Sequence, residues 1–166
     1  MSVELSRPWK AEAAFHGEAE VEVVADAAER MAVALRLGVE AIAELTCRFR
    51  LSMVPGVLGR LLGEGTLRAR LTRDCVITLD PFEERIAETF RVLFVPEGTE
   101  SDDDDPEADD EVPYAGAMID LGEAVVEQLA LMMAPYPRKP GAGLAEDAAE
   151  QPASPFAALS RLRPSN

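Results

Sequence analysis

From Val39 to Met53 every odd position is apolar: Val39, Ala41, Ala43, Leu45, Cys47, Phe49, Leu51 and Met53. The even positions hold Glu40, Glu44, Thr46, Arg48, Arg50 and Ser52, with Ile42 as the one exception. A strand sends successive side chains to opposite faces, so this spacing predicts one long β-strand with a dry side and a wet side. Such a strand belongs to an antiparallel sheet that is covered on one face only.

Shorter runs repeat the pattern. Ala19, Val21 and Val23 alternate with Glu18, Glu20 and Glu22, while Leu67, Ala69 and Leu71 alternate with Thr66, Arg68, Arg70 and Thr72. Beyond Cys75 to Pro81, Ile86, Phe90, Val92 and Phe94 stay in phase between Arg85 and Val95. Pro55, Gly56, Gly59 and Gly63 predict the turn region that follows the long strand.

Two segments change to helical spacing. Asp26 and Glu29 make a capping box ahead of Ala28, Met31, Ala32 and Leu35, and Gly38 closes that helix. Asp120 or Gly122 starts the second, with Val125, Leu129, Leu131 and Met132 as its apolar side and Pro135 as its stop. Together these elements predict an α+β fold: an antiparallel sheet of three to five strands, two main helices, an acidic disordered insertion and a short C-terminal helix. Residues 1–140 form the single domain, with 97–113 as its flexible insertion. Residues 141–166 are a Gly, Ala and Pro linker ending in a short amphipathic segment, which Ser154 and Pro155 cap and start and which carries Phe156, Leu159 and Leu162.

Charge matters chiefly by where it lies. The 166 residues carry 31 acids and 16 bases, a net charge of −15. Ten of those acids fall between Glu97 and Glu111 with no base among them. Such a run reads as a solvated insertion, as a docking segment for a basic partner, or as a metal loop. It lacks the spacing and central glycine of a calcium-binding EF-hand.

Catalytic signatures are missing. The chain has no phosphate-binding glycine loop, no dinucleotide fingerprint, no nucleophile elbow and no paired zinc histidines. His16 is the single histidine and stands at the start of a strand, where an edge or surface role suits it. Cys47 and Cys75 read as reduced, buried thiols. Met1–Lys10 lacks the apolar core of a secretory signal, and no run of about 18 apolar residues could span a bilayer. The expectation is a cytoplasmic protein without a metal or other cofactor.

The outward arginines stand apart. If the turn centres on Gly59, Arg48 pairs with Arg70 and Arg50 with Arg68, placing four guanidinium groups on one wet face. Like charges directly opposite destabilise a sheet, so the cluster implies an anionic partner such as RNA phosphate, or neutralisation by Glu40, Glu44 or Glu64. Tyr136, Arg138 and Lys139 form a second basic and aromatic group. Tyr136 suits stacking on an unpaired base, or packing on the preceding helix.

Several segments then occur in a familiar order. Cys75-Val76-Ile77-Thr78-Leu79-Asp80-Pro81 is followed by the Phe90-to-Pro96 strand, the acidic run and Ile119-Asp120-Leu121-Gly122-Glu123. Ala134-Pro135-Tyr136-Pro137-Arg138-Lys139-Pro140 and a closing Pro155-Phe156-Ala157-Ala158-Leu159 complete the set. Over roughly residues 18 to 163 this series resembles the YceD family, the large ribosomal RNA subunit accumulation proteins, in its alphaproteobacterial form. The resemblance implies a bacterial cytosolic factor, not an enzyme, that supports accumulation of the large-subunit (23S) RNA and ribosome assembly. Many members carry C-x-x-C where this chain has Cys75 to Thr78, and further cysteines where it has Tyr136 to Leu144. Zinc needs about four ligands, so no metal is expected here.

Two kinds of partner follow. One is large-subunit ribosomal RNA or its precursors, held by Arg48, Arg50, Arg68 and Arg70, with Tyr136, Arg138 and Lys139 as a partner-binding patch. The other is a basic ribosomal or processing protein, for which the chain would be an acidic adaptor. A metal-dependent hydrolase is the least supported reading, because the densest run of acids lies on the insertion rather than on a framework. No small-molecule substrate is indicated.

Overall fold

The computed structural model describes residues 4–101 and 109–143. In chain order the elements are β1 (Pro8–Lys10), a 3-10 helix (Ala11–His16), β2 (Ala19–Val24), α1 (Ala27–Leu37) and β3 (Ala41–Met53). They continue with β4 (Leu61–Asp74), β5 (Pro81–Pro96), β6 (Asp110–Tyr114), β7 (Met118–Asp120) and α2 (Leu121–Met132). The main sheet has five strands in the order β2-β3-β4-β5-β6. Strands β2 to β5 are antiparallel neighbours, and β6 pairs parallel to β5 at the edge. This is the α+β architecture expected, with one parallel strand added.

That added strand corrects the reading of 97–113 as a flexible insertion throughout, since Asp110–Tyr114 is a strand. Glu111, Val112 and Pro113 sit in ladder register with Leu93, Phe94 and Val95. Five residues with two acids and a proline carry no readable alternation, but an edge strand tolerates both charge and proline. The remainder of the acidic run, 102–108, lies outside the described residues, as do the chain from 144 onward and the predicted helix at 154–162.

Both helices cover the same side of the sheet. The core joins Leu45, Phe49, Leu51, Leu61, Leu67, Leu71, Val92 and Phe94 of the strands to Val33 of α1 and Leu121, Val125 and Leu129 of α2. The opposite side of the sheet stays polar along β3 and β4, where buried and exposed positions alternate. A bulge between Ile42 and Glu44 shifts the phase of β3. It turns Ile42 inward, at 6% exposure, and leaves Ala41 and Ala43 outside, so the one irregular residue of the sequence pattern marks the irregularity of the ladder.

The ends of α1 follow its sequence. Asp26 accepts the Glu29 N–H at 2.9 Å, the Glu29 carboxylate accepts the Asp26 N–H at 2.8 Å, and Gly38 closes the helix in the left-handed conformation. Its apolar stripe does not. Met31 and Leu35 are 72% and 85% exposed, while Val33 and Ala34 face the core. Likewise Leu131 points outward from α2, whose buried side is Leu121, Ala124, Val125, Val126 and Leu129.

Asp120 ties the N-terminal chain to α2. Its carboxylate caps the helix at Gly122 and Glu123 and also accepts the Arg7 N–H and the Ser6 hydroxyl. At the far end of α2, Arg73 bonds both Glu84 and the Ala134 carbonyl, at 2.7 and 2.8 Å. The sheet and its cover are thus fastened at both ends, and among the described residues nothing packs over the polar face.

Candidate nucleic-acid interface

Arg48, Arg50, Arg68 and Arg70 do share the polar face, but not as two opposed pairs. Arg48 lies opposite Thr66 and Arg50 opposite Glu64, while Arg68 faces Thr46 and Arg70 faces Glu44. The expected pairing was off by four residues. The cause is the glycines: Gly63 belongs to β4 rather than to the turn, which spans the shorter stretch from Val54 to Arg60.

The strands around the arginines interleave acids. On β2, Glu22 stands opposite Arg48 and Glu20 opposite Arg50. The nearest ion pairs are Arg48 to Glu22 at 3.7 Å, Arg50 to Glu18 at 3.2 Å and Arg91 to Asp109 at 3.2 Å. In each of these pairs the arginine side chain is more than half exposed, at 69%, 54% and 56%. Pairs so open to water contribute little and exchange readily for a phosphate. They rim a shallow hollow of about 640 Å³ that Glu20, Glu64, Thr66 and Thr89 also line.

Towards the β4–β5 turn the balance changes. Arg70 lies directly opposite Arg85 of β5, and Arg68 opposite Ala87. Among the described residues neither Arg68 nor Arg70 has a carboxylate within ion-pair distance, and Arg85 is held by Glu83 at 2.7 Å. The buried Nε of Arg70 has no hydrogen-bond partner there. Arg85 and Arg91 were not singled out in the sequence. Their signal was present, since both hold odd positions, out of phase with the inward Ile86, Phe90 and Val92.

Tyr136, Arg138 and Lys139 form no continuous surface with these arginines. They lie beyond the β4–β5 turn, where the Pro137 carbonyl accepts the Val76 N–H at 3.0 Å. Four more residues of β4, about 13 Å at roughly 3.3 Å per residue, separate Arg70 from the start of that turn. Tyr136 is 74% exposed rather than packed on α2, and Lys139 Nζ approaches Asp80 at 3.6 Å.

The two thiols are both buried and free but chemically unlike. Burial within β3 pushes the Cys47 thiol up to about 12. Cys75 moves the other way, to about 7, because the backbone N–H groups of Lys139, Thr78 and Ile77 and the Thr78 hydroxyl point at its sulfur. Its place is the turn after β4, not a strand. Among the described residues no three of His, Cys, Asp and Glu gather closely enough to hold a metal ion. No helix among them is long and apolar enough to cross a membrane.

A family model described as "Large ribosomal RNA subunit accumulation protein YceD" matches residues 63–163. That span takes in β4 from Gly63 onward, with Arg68 and Arg70, and the chain after it as far as residue 163. No curated protein and no solved structure matches the chain.

Proposed function

The chain belongs to the YceD family of large ribosomal RNA subunit accumulation proteins, and from that premise we propose that it acts as a binding factor that holds RNA on the polar face of its sheet. The reading places it in the cytoplasm, without a catalytic step of its own. One observation carries it: among the described residues, Arg68 and Arg70 share an uncovered sheet face with Arg48, Arg50, Arg85 and Arg91, yet find no carboxylate partner. Arginine forks match phosphate oxygens in shape as well as charge, so a face of this kind suits an RNA backbone. Thr46, Thr66 and Thr89 lie on the same face and add hydroxyl donors without charge.

The test is retention of single-stranded RNA by the full chain and by a variant with Arg48, Arg50, Arg68 and Arg70 all changed to Gln. The variant should bind more weakly, and its salt dependence should flatten by about 0.7 in log–log slope for each phosphate no longer neutralised. Equal retention by a folded variant would sink the assignment. Co-purification from bacterial lysate, with and without ribonuclease, identifies the RNA.

A second reading, the acidic adaptor, rests on a different observation. Arg60 grips both the Thr99 carbonyl and Glu111, at 2.5 and 3.2 Å, so the two ends of the acidic run are pinned together at the sheet edge. Deleting 102–108 separates the readings. An adaptor loses its basic partner, whereas an RNA binder keeps or improves its affinity once a repulsive charge is gone.

A further inference from the structure

Resting on that RNA-binding reading, we propose that Arg68, Arg70 and Arg85 form a discrete oxyanion site that takes a single phosphate group, the anchoring point for one phosphodiester of the bound RNA. The sheet register makes these three unlike the other arginines of the face. Arg48 stands opposite Glu22, Arg50 stands between Glu20 and Glu64, and Arg91 stands opposite Glu64. Arg70 instead stands opposite Arg85. A directly opposed like-charged pair is a cost that an anion between them removes.

Glu44 is the acid placed to neutralise Arg70 from β3, but it does not close on it. The bulge between Ile42 and Glu44 breaks the ladder at that point, and no Glu44 oxygen comes within ion-pair distance of Arg70. Arg70 Nε is left buried without a hydrogen-bond partner among the described residues. Buried donors on a charged group are normally satisfied, so an unfilled one marks a place where an acceptor belongs.

Space is provided on the same face. Arg68 is flanked across the strands by Thr46 and Ala87, both short. Arg68, Arg70, Arg85, Ala87 and Glu44 line a hollow of about 360 Å³. That is near the lower end of small-ligand sites, about 300–1,000 Å³, and suits one phosphate rather than a whole nucleotide chain. Arg85 is steadied by Glu83 through Nε, at 2.7 Å, which leaves its terminal nitrogens to reach the anion. Residues 68 and 70 lie about 7 Å apart on one strand, and directly opposite side chains begin about 5 Å apart. Three forks rooted at those spacings can converge on one tetrahedral oxyanion.

The experiment uses the full chain with nitrogen-15 arginine side-chain spectra, inorganic phosphate and a ten-residue oligouridine as probes, and chloride as the ionic-strength control. Phosphate should shift the Nε–H signals of Arg70 and Arg85 while leaving Arg48 and Arg50 in place. Oligouridine should shift the same signals and be competed by phosphate. The R70Q/R85Q variant should lose at least tenfold in oligouridine affinity, and R70K should lose most of that although it keeps the charge.

Failure of the site and failure of RNA binding look different. If R48Q/R50Q abolishes oligouridine binding while R70Q/R85Q retains it in full, the site is overturned and the RNA reading stands. If phosphate shifts Arg70 and Arg85 but oligouridine does not bind, the oxyanion site holds for free phosphate and the RNA reading falls. If phosphate moves no arginine signal beyond the chloride control, the site is overturned whatever the variants do.

Discussion

Gly65 lies directly beneath the ring of Phe90. A Cβ built on Gly65 would run into Cζ and Cε1 of that ring and stand 2.8 Å from its Cε2. The two residues are register partners in β4 and β5, and the same ring meets Phe49 edge-on with centroids 5.6 Å apart. The aromatic pair closes over the sheet because one position beneath it has no side chain.

Gly65→Ala is therefore expected to destabilise, against the ordinary trend. Replacing a strand glycine by alanine normally gains about 0.4–1 kcal/mol through the unfolded chain. Overpacking costs about 1–3 kcal/mol and should win here. Urea unfolding of Gly65→Ala alone and in a Phe90→Leu background checks this. The cost of the alanine should shrink when the ring is gone, and equal costs in both backgrounds would show that the ring is not the obstacle.

The same glycines explain what the sequence concealed. The alternation from Val39 to Met53 and from Thr66 to Thr72 is a local signal, and it placed the strands and, from Leu45 onward, their wet faces correctly; before Leu45 the bulge reverses the assignment of Ala41, Ile42 and Ala43. Register is not local. Gly63 punctuates the sequence like a turn residue, yet its reason is a neighbour about thirty positions away: its Cβ would come within 2.9 Å of Phe94. Moving the turn by that misreading displaced Arg68 and Arg70 by four places and hid Arg85 as a partner. The unpaired state of Arg70 depends on three strands at once and could not be read from any one of them.

Acid should loosen the start of α1. Glu29 accepts a two-pronged pair from Arg7, at 2.6 and 2.8 Å, together with the Asp26 N–H. The Arg7 guanidinium holds the carboxyl at about 2, below its usual 4.5. The folded state thus binds its proton less readily than the unfolded chain. The stabilisation is fully present above about 4.5 and disappears as pH falls towards 2. The thermal midpoint of the wild type should drop more steeply through that window than that of Glu29→Gln, with the two curves nearly parallel at neutral pH. Arg7 is 35% exposed, so the loss should be near the upper end of the roughly 0.2–1 kcal/mol of surface pairs.

Alkali should act on the two thiols in opposite senses. Cys75 sits at about 7 in the fold against 9 for a free thiol, so its contribution to stability grows as pH rises from 7 to 9. Cys47 sits at about 12, so the fold keeps a proton that the unfolded chain surrenders, and stability falls between 9 and 12. Urea midpoints measured from pH 6 to 11 should show the first rise disappear in Cys75→Ser. The later decline should flatten in Cys47→Ala, beneath a baseline lowered by the lost packing. A Cys75→Ser curve that still rises between 7 and 9 would mean that the N–H groups around its sulfur do not stabilise a thiolate.

Position within α1 and α2, rather than hydrophobicity, should decide which apolar residues matter. Met31 and Leu35 carry the helical spacing that a reader of the sequence assigns to the core, yet they are 72% and 85% exposed. Changing both to Gln removes almost no buried surface, and the expected effect is within about 0.5 kcal/mol per site. Leu129 has no exposed surface and packs into the cluster that joins α2 to the sheet. Truncating it to Ala should cost about 2–5 kcal/mol, the transfer of the lost methyl groups plus the cavity they leave. Urea midpoints of the two variants, measured at two protein concentrations, settle both sides of the comparison. A large loss in Met31→Gln/Leu35→Gln that depends on concentration would show that a second copy of the chain covers those residues.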